Sequence, residues 1–197
     1  MRRHSLIAAA LACGRIATAH AQDQQAAPPQ TAAPAPASGF FEVASEGVTL
    51  LTGDTWQQEG WSVRLFGVQS CIRGTSYTNP AGEKHDCGEA SALMLGAMLK
   101  DMHPQCRPLS RSGPDATSSR GTLLVVCVAN VGQNQIDLAT ALILKGYDFA
   151  SILPDGKPIY PSYAVAESSA RKDRAGLWAA PDLPYPNAII SKALQGK

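Results

Sequence analysis

The sequence predicts an α+β domain with one small barrel or sheet, and three observations support this fold class. Short apolar runs separated by glycine-containing turns are typical of β-strands. Apolar residues recur at helical spacing between residues 89 and 100. Further helical stretches follow a second group of strands, so strands and helices occupy separate parts of the chain instead of alternating regularly.

The first strands are predicted at residues 48–56 and 61–68. Both are short apolar runs, and a Gly-Asp pair at position 53 and a Glu-Gly pair at position 59 supply turn residues. Residues 89–100 then place a set of apolar side chains on one face, which predicts an amphipathic helix. That face consists of Ala90, Leu93, Met94, Ala97 and Met98.

A second group of elements follows this helix. Residues 105–109 and 122–128 look extended, and the polar loop between them would let them pair as antiparallel strands. Asp137 is the predicted N-cap of a helix that stops at Gly146. Residues 163–174 form the last predicted helix of the domain.

Size and charge set limits on function. The chain has 197 residues, which is enough for one domain with tails. Its formal net charge is +1. Nucleic-acid-binding domains usually carry a strongly basic face, so this balance does not point to such a partner. A local basic groove is nevertheless compatible with a nearly neutral protein.

The two ends of the chain predict export and flexible connections. Residues 1–21 resemble a signal peptide of a periplasmic or secreted protein, with a basic start, a short apolar run and an Ala-His-Ala cleavage pattern. An uncleaved basic N-terminus and a lipoprotein cleaved before Cys13 are the alternatives. Residues 22–39, rich in Ala, Pro and Gln, predict a disordered tether. Residues 40–180 would form the domain, and residues 181–197 a tail with room for a short helix. After residue 21, no apolar stretch is long enough to span a membrane.

Four cysteines remain after the expected cleavage, and an even number in an exported chain indicates two disulfides. Spacing alone allows three pairings. The two extended stretches would bring Cys106 and Cys127 together, which leaves Cys71 and Cys87 for the second bond. A zinc site is one alternative, but neither a Cys-x-x-Cys pair nor paired Cys/His spacing is present. Four free buried thiols are the other.

Several short motifs lie in a fixed order between residues 47 and 179. They are Gly53-Asp54-Thr55, Val63-Arg64-Leu65-Phe66-Gly67-Val68, Cys87-Gly88-Glu89-Ala90, Ser119-Arg120-Gly121, Ile136-Asp137, Gly146-Tyr147, Tyr163, Glu167, Ala170-Arg171 and Gly176-Leu177-Trp178. Together they resemble the staphylococcal (micrococcal) nuclease-like domain of the thermonuclease family, in its exported bacterial form. The resemblance implies a five-stranded OB-fold β-barrel with three packed helices, and Ca²⁺-dependent hydrolysis of phosphodiester bonds in DNA or RNA.

The resemblance implies roles for five positions, of which three keep the required chemistry. A nuclease of this type needs two aspartates for Ca²⁺, a glutamate that activates water and two arginines that neutralise the phosphate. Asp54 matches the first metal aspartate, and Arg64 and Arg120 match the two arginines. Gln69 stands where the second metal aspartate belongs, and Ile72 stands where the catalytic glutamate belongs.

Other acids are candidates to replace the two that are missing. Thr52 also replaces an acidic residue at the edge of the implied metal site. Because Gln69 and Ile72 leave the site without a second metal ligand and a base, hydrolysis by the family mechanism is not expected. Glu83, Asp86 and Glu89 are the acids that a long loop could bring to the site. Simpler interpretations exist for the retained residues, because Asp54 suits a Gly-Asp-Thr turn and arginines are common in surface ion pairs.

The residues leave three functions open. The first is an exported binding module, derived from a nuclease, for nucleic acid, another anion or an envelope protein. OB barrels bind oligonucleotides and oligosaccharides on one face, which favours this function, and it needs no cofactor. The second is an active phosphodiesterase with a rebuilt Ca²⁺ site. The third is a structural, disulfide-stapled subunit of an envelope complex.

Overall fold

The computed structural model describes residues 39–44 and 46–195. The expected signal peptide, Cys13, nearly all of the expected tether and the last two residues lie outside the described residues. Within the described ranges, no helix combines the length and the apolar character that a bilayer span requires.

Eleven strands lie in the described residues, and most are short. In chain order they are β1 (Phe41–Glu42), β2 (Thr49–Leu50), β3 (Thr55–Gln58), β4 (Trp61–Leu65), β5 (Val68–Ser70), β6 (Ser76–Thr78), β7 (Lys84–Asp86), β8 (Gln105–Arg111), β9 (Gly121–Val131), β10 (Asn134–Asp137) and β11 (Asp148–Ala150). Only β8 and β9 exceed five residues, so the longest stretch of strand pairing lies between them.

The described residues also contain four α-helices and one 3-10 helix. They are α1 (Cys87–Met102), α2 (Leu138–Leu144), α3 (Pro161–Lys172), α4 (Pro186–Gln195) and the 3-10 helix Gly176–Ala179. Asp137 caps α2 as predicted, because its Oδ2 accepts a hydrogen bond from the backbone N–H of Thr140 at 2.8 Å. Asp86 caps α1 in the same way through the N–H of Glu89, so this helix begins two residues before the predicted start.

Seven strands form one sheet in the order β1-β8-β9-β4-β3-β2, with β10 also paired to β9. The pair β4 and β9 is parallel, and the other pairs of this sheet are antiparallel. Two small antiparallel sheets join β5 to β11 and β6 to β7. The main sheet is strongly curled into a half-barrel, so the predicted α+β class is confirmed and the architecture is compatible with an OB-like fold.

The largest cluster of buried side chains joins the main sheet to α1, α2 and α3. Every second residue of β9 from Gly121 to Ala129 is buried, as expected for a strand with one face in the core. Trp56 of β3 is fully buried in the same cluster. Burying an aromatic side chain of this size stabilises the fold by about 3 kcal/mol. This anchors the start of β3, and with it the turn that precedes the strand.

Both predicted disulfides form. Cys106 of β8 lies directly opposite Cys127 of β9 in the antiparallel register, and a bond joins them. The second bond joins Cys71, just after β5, to Cys87 at the start of α1, and it is buried in a smaller cluster with Phe149. Closing a loop of this size contributes about 3 kcal/mol in the chain-entropy model.

Residues 181–195, where the sequence predicts a tail with room for a short helix, include α4 and contact the rest of the domain. Tyr185 joins the smaller cluster, and its hydroxyl donates a hydrogen bond to Oε1 of Glu167 at 2.8 Å. The buried side chain of Asn187 donates to the carbonyl of Ala150 at 2.8 Å. The packed domain therefore extends through α4.

Candidate functional site

Asp54 lies in the turn between β2 and β3 and is only 2% exposed. The backbone N–H groups of Leu51 and Thr52 both donate to the carbonyl of Thr55 and close the turn. Oδ1 of Asp54 accepts hydrogen bonds from the hydroxyls of Thr52 and Thr55. Turn chemistry accounts for an aspartate at this position, but it does not require the carboxylate to be buried.

Arg64 supplies the positive charge next to Asp54. It lies on β4 opposite Thr55 of β3, and its Nη2 is 3.2 Å from Oδ2 of Asp54. The side chain of Arg64 is 46% exposed, whereas that of Asp54 is 3% exposed. Because a guanidinium group carries five N–H donors in a planar fork, the edge that faces solvent can still bind an anion. These two predicted site residues are therefore brought together.

A second carboxyl group, which the sequence does not single out, lies beside this turn. Asp148 of β11 is 0% exposed and pairs with Ser70 of β5. A Cβ atom placed on Gly53 would lie 2.7 Å from Oδ1 of Asp148. The carboxyl group of Asp148 therefore packs against the backbone immediately before Asp54.

The surroundings of Asp148 favour its protonated form. Among the described residues, neither of its carboxyl oxygens has a clear hydrogen-bond partner, since the nearby hydroxyl of Ser91 donates to the carbonyl of Tyr147. Burial, followed by the negative charge of Asp54, raises the pKa of Asp148 well above its ordinary value. The Ser91 hydroxyl opposes this shift of the pKa with a smaller effect.

Gln69 and Ile72 carry neutral side chains at the two positions where the resemblance implies acids. Gln69 lies on β5 opposite Phe149, and its side-chain amide donates to the carbonyl of Ser70 at 3.0 Å. Ile72 follows β5 and is half-buried. An amide is a weaker Ca²⁺ ligand than a carboxylate, and an aliphatic group cannot act as a base.

The three acids considered as replacements have other positions or contacts. The two carboxylate oxygens of Asp86 accept hydrogen bonds from the N–H groups of Glu89 and Gly74, at 2.7 and 2.6 Å. Glu83 lies in the β6–β7 hairpin, where Oε2 accepts a hydrogen bond from the side chain of Asn79 at 2.9 Å. Glu89 is exposed in the first turn of α1. Across the described residues, no group of three or more His, Cys, Asp or Glu side chains could hold a metal ion.

The residues around Asp54 do not fit the Ca²⁺ site that the resemblance implies. Ca²⁺ takes six to eight oxygen ligands. Oδ1 of Asp54 already accepts two hydroxyl donors, and Oδ2 faces Arg64. Asp148 is enclosed in the protein, and its protonated form is favoured. A divalent cation here would have to displace Arg64, so we assign no reaction step to one.

Arg120 lies far from Arg64 along the sheet, although the resemblance implies that both bind one phosphate. It precedes β9, whose first residue Gly121 pairs with Trp61, whereas Arg64 pairs three residues further along β9. Three strand residues correspond to about 10 Å. The guanidinium carbon of Arg120 lies 4.8 Å from the centroid of the Trp61 ring. The two arginines that the resemblance assigns to phosphate binding are therefore split between the two ends of β4.

Arg73 is a second arginine that contacts the turn containing Asp54. Its side chain is exposed, and its Nε donates to the carbonyl of Leu51 at 2.9 Å. Leu51 and Asp54 belong to the same closed turn and are at most about 10 Å apart. Gly88 in α1 permits this arrangement, because a Cβ there would clash with the Arg73 backbone. Arg64 and Arg73 therefore flank one turn.

Sequence reasoning missed two residues of this site, Asp148 and Arg73. Asp148 has a signal in the sequence, since it is an acidic residue between Tyr147 and Phe149 in a mainly apolar stretch. A strongly perturbed buried acid is more frequent at functional sites than elsewhere. Arg73 has no such signal, because it follows Ile72 in the segment where the resemblance fails.

Comparison with known proteins adds no family assignment. No family model matches the chain. A search of curated proteins also finds no match. The thermonuclease-like interpretation therefore rests on the order of the motifs, and the arguments about function rest on the residues around Asp54.

Proposed function

We propose that this chain is an exported, thermonuclease-like OB-fold binding module that has lost nuclease activity and binds an anionic ligand. A nucleic-acid strand is the first candidate. The observation that carries the proposal is that Arg64 and Arg73 both contact the turn that contains Asp54 and that both are exposed to solvent. Guanidinium groups bind phosphate through paired hydrogen bonds, which makes arginine well suited to this ligand. Another anion or an acidic envelope protein would use the same two groups.

Binding without hydrolysis follows from the side chains that flank these arginines. A positioned general base typically contributes 10²–10⁴-fold to a rate, and Ile72 cannot provide one. Asp148 is not placed to take over this role, since its side chain has no exposed surface from which to reach a water molecule on a bound ligand. The site therefore keeps groups that attract an anion and lacks a group that would activate water.

One observation favours the second candidate, a Ca²⁺-dependent phosphodiesterase with a rebuilt metal site. Asp148 puts another carboxyl group beside Asp54, as such a site would need. Arg64 nevertheless faces the free oxygen of Asp54, and no further acid joins the pair among the described residues. We therefore rank this function below binding.

Export is part of the proposal. The expected signal peptide lies outside the described residues, so the support comes from the cysteines. The two buried disulfides suit an oxidising compartment, since the cytosol keeps most thiols reduced. The disulfides thus support a periplasmic or secreted location.

Binding of a labelled single-stranded oligonucleotide to the purified protein tests the proposed function. We expect affinity to fall steeply with salt, because phosphate contacts release counterions. Arg64→Gln and Arg73→Gln should each weaken binding by about tenfold, as expected for the loss of one charged contact. Lys172→Gln, which removes an exposed charge from α3, is the matched control and should have little effect.

Cleavage is measured on the same samples with Ca²⁺ and with EDTA. Strand scission that requires Ca²⁺ and is lost in Asp148→Asn would establish the second candidate instead. Binding that is insensitive to salt, or equally weakened in the Lys172 control, would contradict an anion site at Arg64 and Arg73.

A further inference from the structure

An apolar cleft lies between the second half of α1 and residues that precede or belong to β2. Its volume is about 470 Å³. Small-molecule sites in proteins have volumes of about 300–1,000 Å³ and combine a mainly apolar lining with a few polar groups. The apolar lining of this cleft consists of Val43, Ala44, Val48, Leu50 and Leu99. The cleft therefore has the size and the lining of a site for a small apolar molecule.

Gly96 lines the cleft from α1, and its missing side chain leaves room there. A Cβ at this position would lie 2.6 Å from Cδ1 of Leu50. Glycine is unfavourable inside a helix, because it loses more conformational freedom on folding than alanine does. The helix therefore carries a locally unfavourable residue at a point where any larger side chain would displace Leu50 from the wall of the cleft.

Lys100 and His103 make the end of the cleft polar. They follow Gly96 by four and seven residues, so all three share one face of α1. Both are exposed, and neither forms a salt bridge among the described residues. His103 ends the helix with a left-handed φ of 44°, where glycine is the usual residue. The helix end thus presents an ammonium group and an imidazole at the cleft, and both can donate hydrogen bonds.

The other end of the same helix face is apolar. Leu93 precedes Gly96 by almost one turn and is 65% exposed. A single exposed leucine is ordinary at a protein surface, but this one extends the apolar side of the cleft away from Lys100. The face from Leu93 to Lys100 is about 10 Å long, at about 1.5 Å per residue. A ligand that fits this surface is apolar along most of its length and negative at one end.

We propose that the cleft binds a single-chain amphiphile with an anionic head group, of the fatty-acid carboxylate class. The alkyl chain packs against Val48, Leu50 and Leu99, and the carboxylate pairs with Lys100 and accepts a hydrogen bond from His103. This ligand differs from the anion proposed at Arg64 and Arg73, because the cleft needs an apolar chain as well as a charge. The two sites share no residue, so each proposal can fail without the other.

Calorimetric titration of the purified protein with octanoate, decanoate and dodecanoate, each below its critical micelle concentration, tests this inference. Affinity should rise by up to about fourfold for each CH₂ that the cleft encloses. Lys100→Gln should weaken decanoate binding by about tenfold, as expected for the loss of one charged contact, and should leave the weaker binding of 1-decanol unchanged. Ala44→Trp, which fills the cleft, should abolish binding of both. Lys172→Gln removes an exposed charge from α3 and is the matched control.

The inference is supported if decanoate binds saturably, if Lys100→Gln weakens it, and if the Lys172 control keeps wild-type affinity. It is overturned if no saturable binding occurs, if decanoate and 1-decanol bind equally well, or if both lysine variants lose the same affinity. Undiminished binding in Ala44→Trp would place the ligand elsewhere and reject the cleft. Vesicles of phosphatidylglycerol are the last comparison, since binding to them without binding of monomeric decanoate would indicate a membrane surface and contradict a site for a single chain.

Discussion

Arginine side chains lie at both ends of β4, and the contacts that position them differ between the two ends. At one end, Arg64 faces a carboxylate that is almost completely buried. At the other end, Arg120 lies over Trp61, and Arg111 approaches the same ring with its guanidinium carbon 5.7 Å from the centroid. The first arrangement is an ion pair with a buried partner, and the second is a set of cation–π contacts at the surface.

The comparison shows that the same residue type has different energetic weight in different surroundings. Removing one partner of a buried ion pair leaves an uncompensated charge, which costs several kcal/mol. A cation–π contact at an exposed site contributes about 0.5–1 kcal/mol. The Asp54 end should therefore be sensitive to substitution, and the Trp61 end should be tolerant.

Gly53→Ala should have the largest effect, because it forces a methyl group into the space between Asp148 and Ser91. We expect a loss of about 3 kcal/mol in the free energy of unfolding, the upper end for overpacking. Urea denaturation measures it. Gly113→Ala is the matched control before β9, since a Cβ there meets no atom within 4 Å. Equal losses in both variants would show that packing at the Asp54 end is not special.

Arg64→Ala and Arg120→Ala compare the two ends directly. We expect Arg64→Ala to destabilise the protein by about 2 kcal/mol, below the usual value for a buried pair because Arg64 is 46% exposed. Arg120→Ala should cost less than about 1 kcal/mol. The midpoints of urea unfolding at low and high salt measure both. The comparison fails if the two losses are the same or if Arg120→Ala is the larger.

Asp148→Asn should change the pH dependence of stability. The folded-state pKa of Asp148 is raised, so the folded protein holds a proton that the unfolded chain releases above about pH 4. Stability should therefore fall as pH rises from that point to the folded-state pKa, by at most about 1.4 kcal/mol per pH unit for one proton. Asp148→Asn should remove this slope and stabilise the protein at high pH. An unchanged slope in urea unfolding between pH 4 and 8 would rule out Asp148 as its source.

Much of the secondary structure could be predicted because its causes are local. Asp137 caps α2 through its own side chain, and the apolar residues between 89 and 100 predict the helix α1. The predicted buried face is wrong, because Leu93 is 65% exposed whereas Leu95 and Leu99 are buried. Strand boundaries were less well predicted. The run at 61–68 is divided by a turn at Gly67, which has a positive φ of 71°, into β4 and β5 of different sheets. Which sheet a strand joins depends on distant partners that local composition does not reveal.

Only part of the candidate site could be predicted for the same reason. Asp54 directly precedes β3, and Arg64 lies on β4, which one turn joins to β3, so their proximity follows from a hairpin that the sequence indicates. Arg120 was expected beside them, but the parallel register of β4 and β9 shifts it to Trp61. That register is set by the pattern of buried side chains along the paired part of the two strands.

The sequence by itself determined the local chemistry of this protein: helix caps, apolar strands, four cysteines that can pair in the domain, and neutral side chains at positions 69 and 72, where the resemblance implies an acid and a base. The tertiary structure decided which charges meet. It placed Asp148 beside Asp54, and it put Arg73, not Arg120, at the turn that Arg64 also contacts. Local chemistry depends on neighbours in the chain, whereas burial and electrostatic coupling depend on neighbours in space.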